Sequence, residues 1–271
     1  MKKKLRDNLK STTHIFGCIA DPIDHVKAPT LFSKVFLQKK INAIMIPIHV
    51  NEKNLGKVIS SLKKIKNFKG LTVTIPHKVN VLKYCDELEN TAEQTGAVNW
   101  IKFNNNKVIG NNFDGIGFVR GLLNKNYIIN DKRVSIFGAG GAGMAISYAF
   151  QSYDLKELKI INRDQIKLEK LIKRLKNYFP KTTLVGENYL NYDISKSDII
   201  INATSIGMKN DIKAPFKVSE TKRNSLIAEI IMEPELTILL KEAKKLNKKI
   251  HFGKYMLESQ IDLVGEYFNL W

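Results

Sequence analysis

Three glycines at positions 138, 140 and 143 constrain this chain more than any other feature, because they stand at the spacing G-x-G-x-x-G. They follow Arg133-Val134-Ser135-Ile136-Phe137, a β-branched and aromatic run that reads as a short strand. They precede Met144-Ala145-Ile146-Ser147-Tyr148-Ala149-Phe150, which has the apolar content of a buried helix. In a strand–loop–helix unit each glycine has its own task. The first makes the tight turn, the second lets a pyrophosphate approach the backbone, and the third lets helix and strand pack closely. The helix start adds unpaired N–H groups and a positive dipole end. Gly138, Ala139, Gly140, Gly141, Ala142 and Gly143 are therefore expected to cradle a dinucleotide. The loop alone does not name a reaction.

At 271 residues the chain has room for two domains, each with its own core. No apolar run approaches the ~18 residues of a membrane span. The basic start Met1-Lys2-Lys3-Lys4-Leu5-Arg6-Asp7 has no apolar segment behind it, so no secretory signal is expected. Cys18 and Cys85 make no C-x-x-C or metal-ligand spacing, which fits two free thiols in a reducing cytoplasm and no metal site. The formal charge of +18 raises the question of nucleic acid. Yet the positive residues are nearly all lysine, spread along the chain, and no zinc finger, aromatic RNA-binding pair or helix-turn-helix accompanies them. Charge without a readout element gives only non-specific affinity. A nucleic-acid partner is not expected, although the charge should concentrate anionic ligands.

Ile15–Ile19 reads as a strand and Asp21–Pro29 as a loop, followed by a helix carrying Leu31, Val35 and Phe36. Ala43–Val50 is a second strand, and Asn51 is a candidate N-cap for a helix with Leu55, Val58, Ile59 and Leu62 on one face. The run Gly70–Ile75 is a strand ended by Pro76, which places Thr74 and Lys78 where side chains project from a strand end. Taken alone, Lys78 is one more surface lysine. Leu82 and Leu88 suggest helical packing up to Thr95-Gly96, and Ala97–Phe103 with Lys107–Gly110 form a hairpin around Asn104-Asn105-Asn106. Strands alternating with helices and closed by a hairpin indicate an α/β domain of mixed strand direction.

Asn112–Phe118 opens a helix, with Asp114 at its N-terminal end where a carboxylate is favoured. After the glycine loop, the strand Leu158–Ile161 runs into Asn162-Arg163-Asp164. An acid here would hold a ribose 2′-hydroxyl, and an arginine accommodates a 2′-phosphate. Arg163 favours NADP over NAD, with Asp164 beside it ambiguous. Further strands are Asp198–Asn202 and Leu226–Ile231, further helices Pro234–Asn247 and Met256–Trp271, the last with Gln260 on the same half as its apolar residues.

Several of these segments together resemble the shikimate dehydrogenase family. They are Thr72-Val73-Thr74-Ile75-Pro76-His77-Lys78, Gly96-Ala97-Val98-Asn99, Asn112-Phe113-Asp114-Gly115, the glycine loop, Asn162-Arg163, Asn202-Ala203-Thr204-Ser205-Ile206-Gly207-Met208, and Met256-Leu257-Glu258-Ser259-Gln260. The resemblance implies an N-terminal α/β substrate domain, residues 1–112, completed by a C-terminal helix, 254–271, that returns to it. It implies a Rossmann-like NADP domain over 113–253, with the active site in the cleft between. The implied reaction is the reversible, NADPH-dependent reduction of 3-dehydroshikimate to shikimate, in aromatic amino-acid biosynthesis. Lys78 and Asp114 match the family's catalytic pair, and Thr74, Asn99 and Gln260 match positions that hold the substrate. Asn162, Arg163, Thr204, Ser205, Met208 and Gly253 join the glycine loop as cofactor-binding positions. Hydride transfer leaves a developing alkoxide that needs a proton and a positive neighbour, and lysine supplies both. Asparagine and glutamine each offer a donor and an acceptor, which suits a vicinal diol. A cytoplasmic monomer or homodimer acting on a cyclic hydroxy acid is expected.

The chain departs from the family pattern in the loop after the first strand. Two serines that bind the substrate carboxylate are replaced by Val26 and Ala28, around Lys27 and before Pro29. A lost hydrogen bond to a charged group costs about 1.5–3 kcal/mol. Two such losses would weaken shikimate binding by roughly 10²–10⁴-fold, unless Lys27 or Thr74 compensates. The strand ending Glu229-Ile230-Ile231-Met232 stands where many members carry an Asp and a Tyr, and Trp100 follows Asn99 in place of the common Thr. These changes point to quinate or another cyclic hydroxy acid as an alternative substrate. A nucleotide-sensing or nucleic-acid-binding protein on the same fold is the alternative of another class.

Overall fold

A computed structural model of the chain describes residues 9–24, 26–209 and 211–271; the basic start Met1–Asp7 lies outside them. The chain divides into two compact units, one running up to Phe113 and including Ile261–Trp271, the other spanning Asp114–Gln260. Among the described residues, no helix is long and apolar enough to cross a membrane.

The first unit is built on a six-stranded mixed sheet. Its strands are β1 (His14–Ala20), β2 (Ala43–His49), β3 (Phe68–Val73), β4 (Glu87–Leu88), β5 (Trp100–Asn104) and β6 (Lys107–Asn111), in the order β2-β1-β3-β5-β6-β4. β1 runs parallel to β2 and β3, whereas β5 is antiparallel to both β3 and β6. The β5–β6 hairpin turns through Asn105 and Asn106, both at positive φ (46° and 61°), a conformation asparagine tolerates in tight hairpins. Helix α1 spans Ala28–Gln38, so the loop before it ends at Lys27, not at Pro29, and the proline sits in the first turn where its missing N–H costs nothing. The Asn51 carboxamide accepts from the Asn54 N–H, but what it caps is a 3₁₀ turn, Glu52–Asn54, that leads into α2 (Leu55–Leu62).

The helix expected through Leu82 and Leu88 is absent. In its place are a 3₁₀ turn at Asn80–Tyr84, the short β4, and α3 (Asn90–Thr95), closed by Gly96 at φ 61°. Leu82 and Leu88 still pack on the core around Leu55, Leu71 and Val98. Burial alone produced the apparent helical spacing. From the C-terminal segment, Phe268 packs edge-on against Phe16 at 5.0 Å and Trp100 at 5.6 Å, and Lys102 Nζ donates to the Tyr267 carbonyl at 2.8 Å.

The second unit opens with α4 (Asp114–Asn124) and holds a six-stranded, wholly parallel sheet. Its strands are β7 (Arg133–Phe137), β8 (Glu157–Asn162), β9 (Thr183–Asn188), β10 (Ile199–Asn202), β11 (Leu226–Glu229) and β12 (Lys249–His251), in the order β12-β11-β10-β7-β8-β9. The chain starts in the middle, moves out to β9, and returns to the other side of β7, which is the Rossmann arrangement. Its crevice opens between β7 and β10 at their C-terminal ends. Alternate residues feed the two faces. Ile136, Ile160, Ile201 and Ala228 enter one core, and Phe137, Ile161, Ile200 and Ile227 the other. A parallel sheet covered on both sides demands such doubly apolar strands.

The remaining helices are α5 (Gly141–Ala149), α6 (Gln165–Leu175), α7 (Ile238–Lys245), α8 (Lys254–Glu258) and α9 (Gln260–Tyr267). α7 starts four residues later than the sequence suggests, because Thr237 accepts from the Leu240 N–H and sets the N-terminus there. The single helix expected over Met256–Trp271 is two helices, broken at Ser259.

Candidate active-site residues and cofactor cradle

In the first unit, β3 ends at Val73 and the chain turns sharply. The Thr74 N–H donates to the Ile19 carbonyl of β1 at 3.1 Å, and the His77 N–H closes the turn on the Thr74 carbonyl at 2.9 Å. His77 is fully buried, and its Nε2 donates to the Val50 carbonyl at 2.7 Å, which pins the turn. Lys78 follows directly and is half-buried. Its carbonyl accepts from the Val98 N–H at 2.8 Å, which sets the Lys78 backbone beside the segment bearing Asn99. Burial pushes the Cys18 thiol up to about 12, opposed by the positive charge of Lys78.

Asn99 is buried, and its Oδ1 accepts from the Phe113 N–H at 2.8 Å. Val26 is half-buried before α1, and Ala28, buried, is the first residue of that helix. Trp100 belongs to the core. Its ring packs on Phe32 at 5.2 Å as well as on Phe268, so the bulk at this position fills the unit's interior.

In the second unit, Asp114 is the first residue of α4 and Gln260 the first of α9, and both are buried. Gln260 Nε2 donates to Asp114 Oδ1 at 3.3 Å. The approach depends on Gly117, where a Cβ would stand 2.6 Å from Gln260 Cγ. The structure thus joins a carboxylate and a carboxamide that lie 146 residues apart.

The glycine loop runs from β7 into α5. Gly138 has φ +108°, reserved in practice for glycine, and a Cβ on Gly143 would fall 2.0 Å from the Gly138 carbonyl oxygen. Both are required by the fold itself. Gly140 is different: a Cβ there would meet nothing within 4 Å. The protein leaves open space over the middle glycine, where a pyrophosphate would lie, so these residues fit a dinucleotide. Ala139 completes the turn, its N–H donating to Asn162 Oδ1 at 3.2 Å, and Gly141 and Ala142 are the first residues of α5. The Asn162 amide also donates to the Asp164 carbonyl at 2.9 Å, tying the glycine loop to the turn after β8.

Asp164, ambiguous in the sequence, caps α6. Its carboxylate accepts from the Lys167 N–H at 3.0 Å, and that bond, helped by the Lys167 ammonium, holds its pKa below the usual carboxylate range. Arg163 beside it is exposed. Across the crevice mouth, Ala203–Met208 forms a knotted loop. Asn202 Oδ1 accepts from the N–H (3.0 Å) and hydroxyl (2.7 Å) of Thr204, and Thr204 Oγ1 accepts from the Ile206 N–H at 3.1 Å. Ser205 is exposed, Met208 half-exposed, and Gly253 buried just before α8.

Asn202 and His77 are the residues whose roles the sequence did not disclose. Each is a buried polar group, and only its partners reveal what it holds.

Two family models match the chain: a shikimate dehydrogenase substrate-binding domain over residues 18–101 and a shikimate/quinate 5-dehydrogenase over residues 122–231. The chain is 35% identical over 254 residues to a shikimate dehydrogenase (NADP(+)) of Methanococcus maripaludis, covering 93% of this chain and 90% of that protein. A crystal structure of a shikimate dehydrogenase in complex with NADP+ is similar with a TM-score of 0.89 at 34% identity, covering 96% of this chain and 91% of that one. A ligand-free 5-ketofructose reductase of a Gluconobacter strain gives a TM-score of 0.83 at 28% identity, covering 94% and 92%.

Proposed function

The chain belongs to the shikimate dehydrogenase family, and we propose that it is an NADP-dependent oxidoreductase interconverting 3-dehydroshikimate and shikimate. The observation that carries this reading is the near-full-length similarity to shikimate dehydrogenases (NADP(+)), with Lys78, Asp114 and Gln260 all present and Gln260 donating to Asp114. NADPH supplies the hydride in the reducing direction. Gly138–Gly143 and the start of α5 hold its pyrophosphate, Arg163 takes the 2′-phosphate, and Thr204, Ser205, Met208 and Gly253 line the rest of its path. The N-cap duty of Asp164 supports the NADP assignment, because a carboxylate engaged by the helix does not compete for a ribose hydroxyl.

Lys78 gives a proton to the substrate oxygen as it becomes an alkoxide, and its charge stabilises that oxygen while the proton moves. Asp114 accepts from a ring hydroxyl, with Gln260 fixing its orientation. Thr74 and Asn99 contribute polar groups to the same ring. The protein acts in the cytoplasm as a monomer or homodimer.

A second reading has its own support. Val26 and Ala28 offer no hydroxyl where the family has serines, and a 5-ketofructose reductase shares the fold. Oxidation of NADPH with 3-dehydroshikimate, and reduction of NADP+ by shikimate and quinate, decides between them. A 5-ketofructose assay belongs in the same panel. Turnover of 3-dehydroshikimate well above every competitor supports the first reading, and preference for another ketone replaces it.

A further inference from the structure

Glu229 closes β11 next to Asn202 of β10, and both side chains are fully buried. Four donors converge on its carboxylate. Oε1 accepts from the N–H groups of Ile230 (2.9 Å) and Ile231 (3.1 Å). Oε2 accepts from Asn202 Nδ2 (3.1 Å) and the Thr237 hydroxyl (3.2 Å). Asn202 Nδ2 spends its other proton on the Ile206 carbonyl at 3.0 Å, while Oδ1 accepts twice from Thr204. Only one orientation of this amide serves both ends. Nitrogen must face Glu229 and Ile206, and oxygen must face Thr204. An acceptor at position 229 is what selects it.

The same carboxylate fixes a second segment. By binding two successive N–H groups it holds the turn at 230–231, and Gly253 lies so close that a Cβ there would stand 2.3 Å from the Ile231 carbonyl oxygen. Thr204 and Gly253 thus both lean, through different partners, on one buried acid.

We propose that Glu229 is a positioning residue for the cofactor, an acceptor that sets the Asn202 amide and the 230–231 turn and thereby shapes the 203–208 loop and the seat of Gly253. This rests on the reading above, in which those segments touch NADP(H). Burial pushes the acid up to about 7, so the fold bears a cost to keep an acceptor here.

The test uses the full-length protein, with NADPH affinity followed by nicotinamide fluorescence and turnover on whichever panel substrate the wild type accepts. Glu229→Gln turns an NH2 group either to Asn202 Nδ2 and Thr237 or to the N–H groups of Ile230 and Ile231, so one of the two segments loses its acceptor. It should raise the Kd for NADPH about ten- to a hundredfold, the scale of one or two hydrogen bonds to a charged group. kcat at saturating NADPH should stay within about threefold, since no reacting atom is touched. The double variant Asn202→Asp/Glu229→Gln restores the donor–acceptor match between positions 202 and 229, at the expense of the donor to the Ile206 carbonyl. The new carboxamide at position 229 then donates to an acid at position 202 that still accepts from Thr204, and part of the affinity should return.

Folding is checked by near-UV circular dichroism. If the single variant does not fold but the double variant folds and binds NADPH, the pairing is upheld. A folded Glu229→Gln protein with unchanged Kd overturns the proposal, as does a loss that the double variant fails to recover. Failure of both variants to fold also overturns it, because Glu229 then holds the unit together rather than the loop. A separate control, Gly140→Val, addresses the cofactor reading itself, because a Cβ there would meet no protein atom within 4 Å. If it and Glu229→Gln both leave NADPH binding intact, the cradle assignment fails along with the proposal. If only Gly140→Val weakens binding, the positioning role alone is lost.

Discussion

Lys78 shows how little a residue type says by itself. In a chain with 44 lysines and arginines, one more lysine after a strand attracts no notice. Its position is what matters, and that position is set by His77 clamped to the Val50 carbonyl and by the Val98 N–H on the Lys78 carbonyl. Lys78→Ala should lower kcat by roughly 10²–10⁴ while NADPH still binds, the usual scale for a group that moves a proton; an unchanged kcat would falsify its role. Arg163 and Asp164 are neighbours with different duties. Arg163→Ala should raise KM for NADPH far more than for NADH, whereas Asp164→Ala should lower the melting temperature and leave the NADPH/NADH ratio as it was. Steady-state kinetics with both cofactors, beside a thermal scan, separates the two. The double change Val26→Ser, Ala28→Ser should lower KM for shikimate, and a higher KM would mean that the segment is built for another ligand.

At the scale of elements, the glycine loop is a local device. Gly138 turns, Gly143 packs, and Gly140 leaves room, and each duty is written in the spacing because strand, turn and helix are contiguous. Gly143→Ala would drive a methyl group into the Gly138 carbonyl and should abolish measurable NADPH binding in a titration, with loss of soluble protein as the alternative sign of the same clash. The hairpin through Asn105 and Asn106 is equally legible, since asparagine at positive φ is a local preference. Helix ends are less so. The patterns through Leu82–Leu88 and Met256–Trp271 read as continuous helix and are interrupted, and the helix read from Pro234 starts only at Ile238. Leu82, Leu88 and Leu236 are indeed apolar residues packed on a core, but periodicity reports burial, and a turn packed on a core buries the same residues as a helix does.

On the scale of the whole molecule, stability against pH draws on two buried groups that pull in opposite directions. His251 sits among Phe118 (5.4 Å), Tyr127 (5.9 Å) and Tyr255 (5.0 Å), and neither ring nitrogen has a hydrogen-bond partner among the described residues. Burial, with the charge of Lys125, lowers its pKa to about 4. The unfolded chain, with an ordinary value near 6.5, binds the proton first, so this contribution is complete above 6.5 and is lost as pH falls toward 4. Glu229 behaves oppositely. Its folded pKa of about 7 lies above the ordinary 4.5, so the native state holds the proton first and its contribution is lost as pH rises through 7. Of these two groups, the histidine is the one whose contribution falls away on the acid side. His251→Phe, which fits the aromatic surroundings, should therefore flatten the acid limb of a melting-temperature profile. The gain over wild type should approach about 3 kcal/mol near pH 4 and be small at pH 8. An equal shift at both values would show that packing, not protonation, is what the histidine contributes.

Local signals along the chain were enough for the strand–glycine–helix unit, the doubly apolar strands of the parallel sheet, the hairpin and, through the assembled motifs, the family. Each of these depends on backbone preferences and burial patterns that act over a few consecutive residues. Which polar groups meet was settled by the folded chain alone. Folding set Gln260 on Asp114, gave the Asp164 carboxylate to a helix end, and gathered Asn202, Thr237 and two backbone amides around Glu229. A buried polar side chain must find a partner, but its own residue type does not say which, and here several partners come from segments tens of residues away.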